Sequence, residues 1–165
     1  MRSLHTIALI VENRPGVLVR IAGLFSRRGF NIDSLTVGST DNPDYARMTI
    51  TVDGDEVVLE QVTKQLNKLV NVIRVSELLS SESVERELAI IKVAARKEDR
   101  SEIMQIVSVF RAKIIDVSPR SLIVEVTGSN DKVEAMVRLL RQFGIKEMAR
   151  TGKVSMVRGT KAMVP

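Results

Sequence analysis

The sequence predicts an α+β protein made of two tandem ferredoxin-like βαββαβ units. Apolar segments of period two and period 3.6 succeed one another in the order strand, helix, strand, strand, helix, strand. The same order returns in the second half with little residue-by-residue similarity. Between the halves, Ser80-Ser81-Glu82-Ser83 is small, polar and short of apolar residues, as a domain boundary should be. The first domain is therefore expected over residues 1–80. The second is expected over 81–165, ending in a short tail.

The elements follow in order. Thr6-Ile7-Ala8-Leu9-Ile10-Val11 is β-branched and almost wholly apolar, which predicts a central strand over about residues 5–12. Leu18, Ile21, Leu24 and Phe25 then recur at helical spacing, giving a helix from about Gly16 to Arg28, with Gly29 placed to end it. Two arginines precede that glycine and complement the helix dipole. A strand from Phe30 to about Val37 runs into the turn cluster Gly38-Ser39-Thr40-Asp41-Asn42-Pro43-Asp44. Met48, Ile50 and Val52 alternate with Arg47, Thr49 and Thr51 as a strand with one polar face. Asp53-Gly54-Asp55 offers capping oxygens for a helix over about residues 55–69, and a fourth strand follows from Val72 to near Leu79.

In the second half, Leu88–Ala94 reads as a strand, and Ile103, Ile106, Val107 and Phe110 form the apolar face of a helix. Residues 113–117 and 122–126 are strands joined by Ser118-Pro119-Arg120-Ser121. Asn130 or Asp131 is placed to cap a helix carrying Val133, Val137 and Leu140, before a last strand over about residues 145–150. An open sheet with helices on one face leaves strand edges uncovered, so edge-to-edge pairing into a homodimer is expected.

Composition narrows the function. With no cysteine and a single His5, thiol metal sites are excluded and general bases near neutral pH are almost absent. No triad, metal-ligand cluster or phosphate-binding loop is present in the sequence, which argues against a free-standing enzyme. No apolar run approaches the ~20 residues of a membrane span, and the N-terminal stretch has no signal-peptide core, so a cytoplasmic location is expected. Residues 1–80 carry 9 Lys+Arg against 9 Asp+Glu, whereas residues 81–165 carry 16 against 11, so the net charge of +5 lies in the second half. The charge is dispersed, as on a solvated face. A rival class is an amino-acid-responsive nucleic-acid regulator, given a pI near 9.8. Sheet readers of RNA expose aromatics for stacking. Here only Phe25, Phe30, Phe110, Phe143 and Tyr45 are available, mostly at core-like positions, and no helix-turn-helix is evident.

The stretch Glu12-Asn13-Arg14-Pro15-Gly16-Val17-Leu18 joins the first strand to the first helix. It combines an Asn able to turn or cap, a Pro that fixes φ, and a Gly that admits close approach. A helix N-terminus presents unpaired N–H groups that favour an anion, so the carboxylate of a small amino acid is the expected ligand.

Ile10–Leu18, followed by a helix and Gly29-Phe30-Asn31-Ile32, resembles an ACT domain. More narrowly, Gly23–Val37, Arg47-Met48-Thr49-Ile50, Gln65–Leu69, Val84–Leu88, Ile114–Val117 and Arg158-Gly159 resemble the regulatory (small) subunit of acetohydroxyacid synthase, also called acetolactate synthase. The resemblance implies a subunit without catalysis of its own that activates a catalytic large subunit in branched-chain amino-acid biosynthesis. That large subunit would carry thiamine diphosphate, magnesium and FAD. It further implies feedback inhibition by a branched-chain amino acid, valine above all, bound where two N-terminal ACT domains pair. The matching positions are Asn13, Gly16, Val17 and Leu18 from one chain with Asn31 and Ile32 from its partner. Val17, Leu18 and Ile32 could wall a branched side chain. Apolar walls of this kind separate one methylene by only about 1–3 kcal/mol, so isoleucine and leucine are expected to compete. The corresponding junction of the second half, Ala95-Arg96-Lys97-Glu98-Asp99-Arg100-Ser101, lacks the Asn-x-x-Gly spacing, so that half is expected to make contacts or transmit the signal.

Overall fold

The computed structural model describes residues 3–165. The chain divides into two compact units, one running through Val84 and including Val154–Pro165, the other spanning Glu85–Lys153. Residues 154–165, placed with the second half in the sequence reading, thus return to the first unit. The physical reason is a strand unrecognised in the sequence, Val154–Val157, whose neighbour Arg158 donates its N–H to the Glu82 carbonyl at 2.8 Å.

In the first unit the elements are β1 (Leu4–Glu12), α1 (Val17–Arg28), β2 (Asn31–Ser39), β3 (Tyr45–Asp53), α2 (Glu56–Asn67) and β4 (Val72–Leu78). They form an antiparallel sheet in the order β2-β3-β1-β4. β1 is interior, and Ile7 through Val11 are at most 2% exposed, which is why its sequence reads as a continuous apolar run. Alternation assigns its two faces. Ile7, Leu9 and Val11 join Met48, Ile50 and Val52 under the helices, against Ile21, Phe25, Val62 and Leu66. Thr6, Ala8 and Ile10, with Arg47, Thr49 and Thr51, lie on the opposite face.

Local signals set the helix boundaries. Asp55 accepts the Val58 N–H at 2.9 Å and caps α2. Gly29, at φ 69°, ends α1 and lets Phe30 donate back to the Phe25 carbonyl at 3.0 Å. The two rings then meet edge to face at 6.1 Å. His5, mostly buried, sits between Glu77 (3.4 Å) and the Gly54 carbonyl (3.2 Å), a structural role.

The second unit contains β5 (Ser83–Ala94, its first two residues belonging to the first unit), α3 (Arg100–Val109), β6 (Lys113–Val117), β7 (Ser121–Gly128), α4 (Asn130–Leu140) and β8 (Ile145–Arg150). Its strands follow the order β6-β7-β5-β8, repeating the topology of the first sheet. With β9 (Val154–Val157) the chain has two βαββαβ units, the predicted α+β class, plus one strand. The α4 cap is Ser129, whose hydroxyl accepts the Lys132 N–H at 3.4 Å, and neither Asn130 nor Asp131 takes that role. β5 starts earlier than its apolar run suggests, because Ser83 and Glu87 are buried within it. Glu87 accepts from Arg150 at 2.5 Å, and Arg150 also donates to Glu134, so the buried carboxylate is paired as its burial demands.

The hydrogen bond from Arg150 holds the Glu134 carboxyl below its ordinary range. A depressed carboxyl adds stability above its unfolded value near 4.5, and that stability is lost as pH falls through the folded value. Glu134 is partly exposed and screened, so the effect is modest. Glu134→Gln should therefore be less stable than the wild type at pH 7, and the gap should narrow by pH 3. Paired thermal melts at the two pH values check this.

Candidate functional site

The β1–α1 junction is built by the surrounding backbone as much as by its own residues. The Asn13 N–H donates to the Asp44 carbonyl at 2.8 Å, and its side-chain amide donates to the Pro43 carbonyl at 3.0 Å. Asn13 thus ties the junction to the β2–β3 turn instead of capping α1. Arg14 folds back on Glu12, at 3.2 Å between guanidinium and carboxylate. Gly16 then takes φ 86°, ψ −10°, a left-handed conformation that an L side chain adopts only with strain. A Cβ there would meet nothing within 4 Å, so the conformation, not crowding, requires glycine.

The α1 N-terminus that results has no side-chain cap and no acidic residue in its first turn. Among the described residues the N–H groups of Leu18 and Val19 have no backbone partner, and that of Val17 reaches the Arg14 carbonyl at only 3.4 Å. These are the donors that a helix start turns toward an anion. The Val17 side chain is buried in the core, leaving only its backbone toward the junction, whereas Leu18 is 45% exposed.

Asn71, which interrupts the apolar pattern after α2, fastens the base of the junction. Its carbonyl accepts the Glu12 N–H at 2.9 Å, its amide donates to the Glu12 carboxylate at 3.1 Å, and its amide oxygen accepts from Arg20 at 2.6 Å. Sequence reading missed this role, and the only local signal was a polar residue between two apolar runs.

Asn31 and Ile32 lie elsewhere in the same chain. Asn31 follows the far end of α1, whose twelve residues span about 18 Å. In the sheet Asn31 stands opposite Asp53, whereas Glu12, just before the junction, stands opposite Tyr45 at the other end of β3. One chain therefore does not bring Asn31 and Ile32 to its own Asn13 and Gly16. Asn31 is exposed, and Ile32 packs in part against the core. Both begin β2, an edge strand of the sheet, which carries a β-bulge between Ile32 and Ser34.

The second unit has no such junction. Arg96 pairs with Asp99 at 2.8 Å and with Glu98 at 3.6 Å, and Arg100 donates to the Ser118 carbonyl. Among the described residues no cluster of three or more His, Cys, Asp or Glu could hold a metal ion, and no helix is long and apolar enough to cross a membrane.

Residues 7–74 match the family model for the AHAS small subunit-like ACT domain, and residues 86–159 match that for the small subunit of acetolactate synthase. The chain is 63% identical over 157 residues to a probable acetolactate synthase small subunit of Archaeoglobus fulgidus, covering 95% of this chain and 98% of the relative. It is 54% identical over 159 residues to the acetolactate synthase small subunit of Mycobacterium bovis, covering 96% and 95%. The crystal structure of the acetolactate synthase small subunit from Thermotoga maritima superposes with a TM-score of 0.89 at 47% identity, covering 96% of this chain and 99% of that one.

If Asn71 holds the junction in place, Asn71→Ala should speed amide hydrogen exchange at Glu12 and Arg14 by about tenfold, the loss of roughly 1.4 kcal/mol of local stability. Exchange in α4 of the other unit should stay unchanged.

Proposed function

This chain belongs to the acetolactate synthase small-subunit family, and we propose that it is the non-catalytic regulatory subunit that activates a catalytic large subunit and makes it sensitive to a branched-chain amino acid. In this reading thiamine diphosphate, magnesium and FAD reside on the catalytic partner, and the complex works in the cytoplasm. Valine is the preferred effector.

The observation that carries the effector site is the separation of its two halves along the sheet. β2 is an outer strand, and two copies can extend the sheet by pairing β2 with β2 antiparallel about a twofold axis. Antiparallel pairing brings the Asn31 end of one strand beside the Ser39 end of the other. That second end is joined to the turn at Pro43 and Asp44, to which Asn13 is hydrogen-bonded. Asn31 and Ile32 of one copy then face Asn13, Gly16 and Leu18 of its partner, and each dimer has two equivalent sites.

The chemistry suits an amino acid. The N–H groups at Val17 and Leu18 receive the carboxylate, the side-chain oxygen of Asn31 accepts from the ammonium group, and Leu18 and Ile32 line the aliphatic side chain. Because each site spans two copies, the effector favours whichever arrangement of the pair closes both halves. Inhibition follows when the catalytic subunit binds the two arrangements unequally, and a coupling of about 1–3 kcal/mol gives a several-fold to hundredfold effect.

Gly16→Asp places a carboxylate where the effector carboxylate binds and adds backbone strain of about 1–2 kcal/mol. Calorimetry should show valine binding to the wild type, weaker binding of isoleucine and leucine, and at least a tenfold loss in Gly16→Asp. The reconstituted Gly16→Asp complex should stay active but resist valine. Inhibition of that complex at wild-type valine concentrations would refute the site.

A further inference from the structure

The face of the first sheet turned away from α1 and α2 carries a cleft of about 850 Å³ lined wholly by residues of the first unit. That volume lies within the usual range for small-molecule sites. We infer that this cleft is a second ligand site, and that it takes a small monocarboxylate with a short aliphatic body, held between Arg47 and Arg74. The inference does not rest on the effector site at the β1–α1 junction.

The two arginines are placed by register. Arg47 on β3 and Arg74 on β4 both stand opposite Ile10 of β1, so one cross-strand row reads Arg47, Ile10, Arg74. Neighbouring strands lie about 4.8 Å apart, which puts the two Cα atoms roughly 10 Å from each other with both side chains on the cleft face. Side chains of that length can reach a single carboxylate from both sides, and Ile10 between them is buried and apolar.

Neither guanidinium is neutralised by a carboxylate among the described residues. Among the described residues Arg47 and Arg74 make no ion pair, and the one hydrogen bond recorded for Arg47 goes to the Ser155 carbonyl at 2.8 Å. Arg47 is half-buried, and its burial lowers the pKa of the guanidinium. A partly desolvated cation without a carboxylate gains most from an anion that enters beside it.

Two further features define the ligand. Leu78 and Met163 supply apolar walls beside Ile10. Ser83 also lines the cleft, is 4% exposed, and has a buried hydroxyl with no hydrogen-bond partner among the described residues. Lys161 adds a third cation, and Asp41 and Glu82 add two carboxylates, leaving one net positive charge. Glu77 stands opposite Ile7, on the helix-covered face beside His5, so its backbone borders the cleft but its carboxylate lies on the other side of the sheet. One net charge with apolar walls matches a monoanion with a hydrocarbon body better than a phosphate.

Calorimetry on the full chain tests this with 3-methylbutanoate, its neutral isostere 3-methylbutanamide, and inorganic phosphate. Saturable binding of the carboxylate is expected, at least tenfold tighter than the amide or phosphate. Arg74 is exposed, so Arg74→Gln should keep the fold and weaken carboxylate binding about tenfold, whereas Gly16→Asp should leave it unchanged. Equal binding of carboxylate and amide, binding of phosphate as tight as that of the carboxylate, or no saturable binding at all would overturn the assignment. So would an unaffected Arg74→Gln or loss of carboxylate binding in Gly16→Asp, the latter because it would place the ligand at the β1–α1 junction.

Discussion

The length of α1 governs how this protein can assemble a site. A helix of twelve residues lies along the sheet, with the Gly16 turn at one end and Asn31 just beyond the other. No rotamer change spans about 18 Å, so groups at the two ends act together only across two copies. The outer position of β2 supplies the means, since its unpaired backbone edge starts at Asn31 and ends beside the turn that anchors Asn13. The proposed regulation follows from this geometry: a ligand that needs both ends reports on how two chains are arranged.

Rigidity at the junction is the complement of that requirement. Gly16 can hold its left-handed conformation because both sides of the turn are tied down. Asn13 binds the β2–β3 turn on one side, and Asn71 grips Glu12 and Arg20 on the other. A junction fixed in this way offers its N–H groups without reorganising, so little ordering cost falls on the ligand. In the second unit the equivalent junction has no glycine and pairs Arg96 with Asp99 and Glu98, so it presents no comparable turn.

Much of the fold was legible because its elements obey local rules. The interior position of β1 was readable from its unbroken apolar run, the end of α1 from Gly29, and the start of α2 from Asp55. Long-range partners were less legible. Asn71 reads as an interruption, and its role exists only once β4 lies beside β1. Val17 reads as a possible wall for a ligand, but the turn at Gly16 sends its side chain into the core. β9 is four residues long and carries no strong period, so its return to the first unit depends on contacts with Glu82 and Arg47 that no local pattern announces. The Arg47–Ile10–Arg74 row is likewise invisible until three strands are in register.

The most direct test of a site shared between chains mixes two defective copies. Gly16→Asp and Asn31→Ala chains are each expected to form dimers with both valine sites damaged. In the mixed dimer, one site collects both defects and the other receives an intact junction and an intact Asn31. Calorimetry on purified mixed dimers should therefore recover wild-type valine affinity at one site per dimer. If mixed dimers bind no better than either parent, each site lies within a single chain and the account is contradicted.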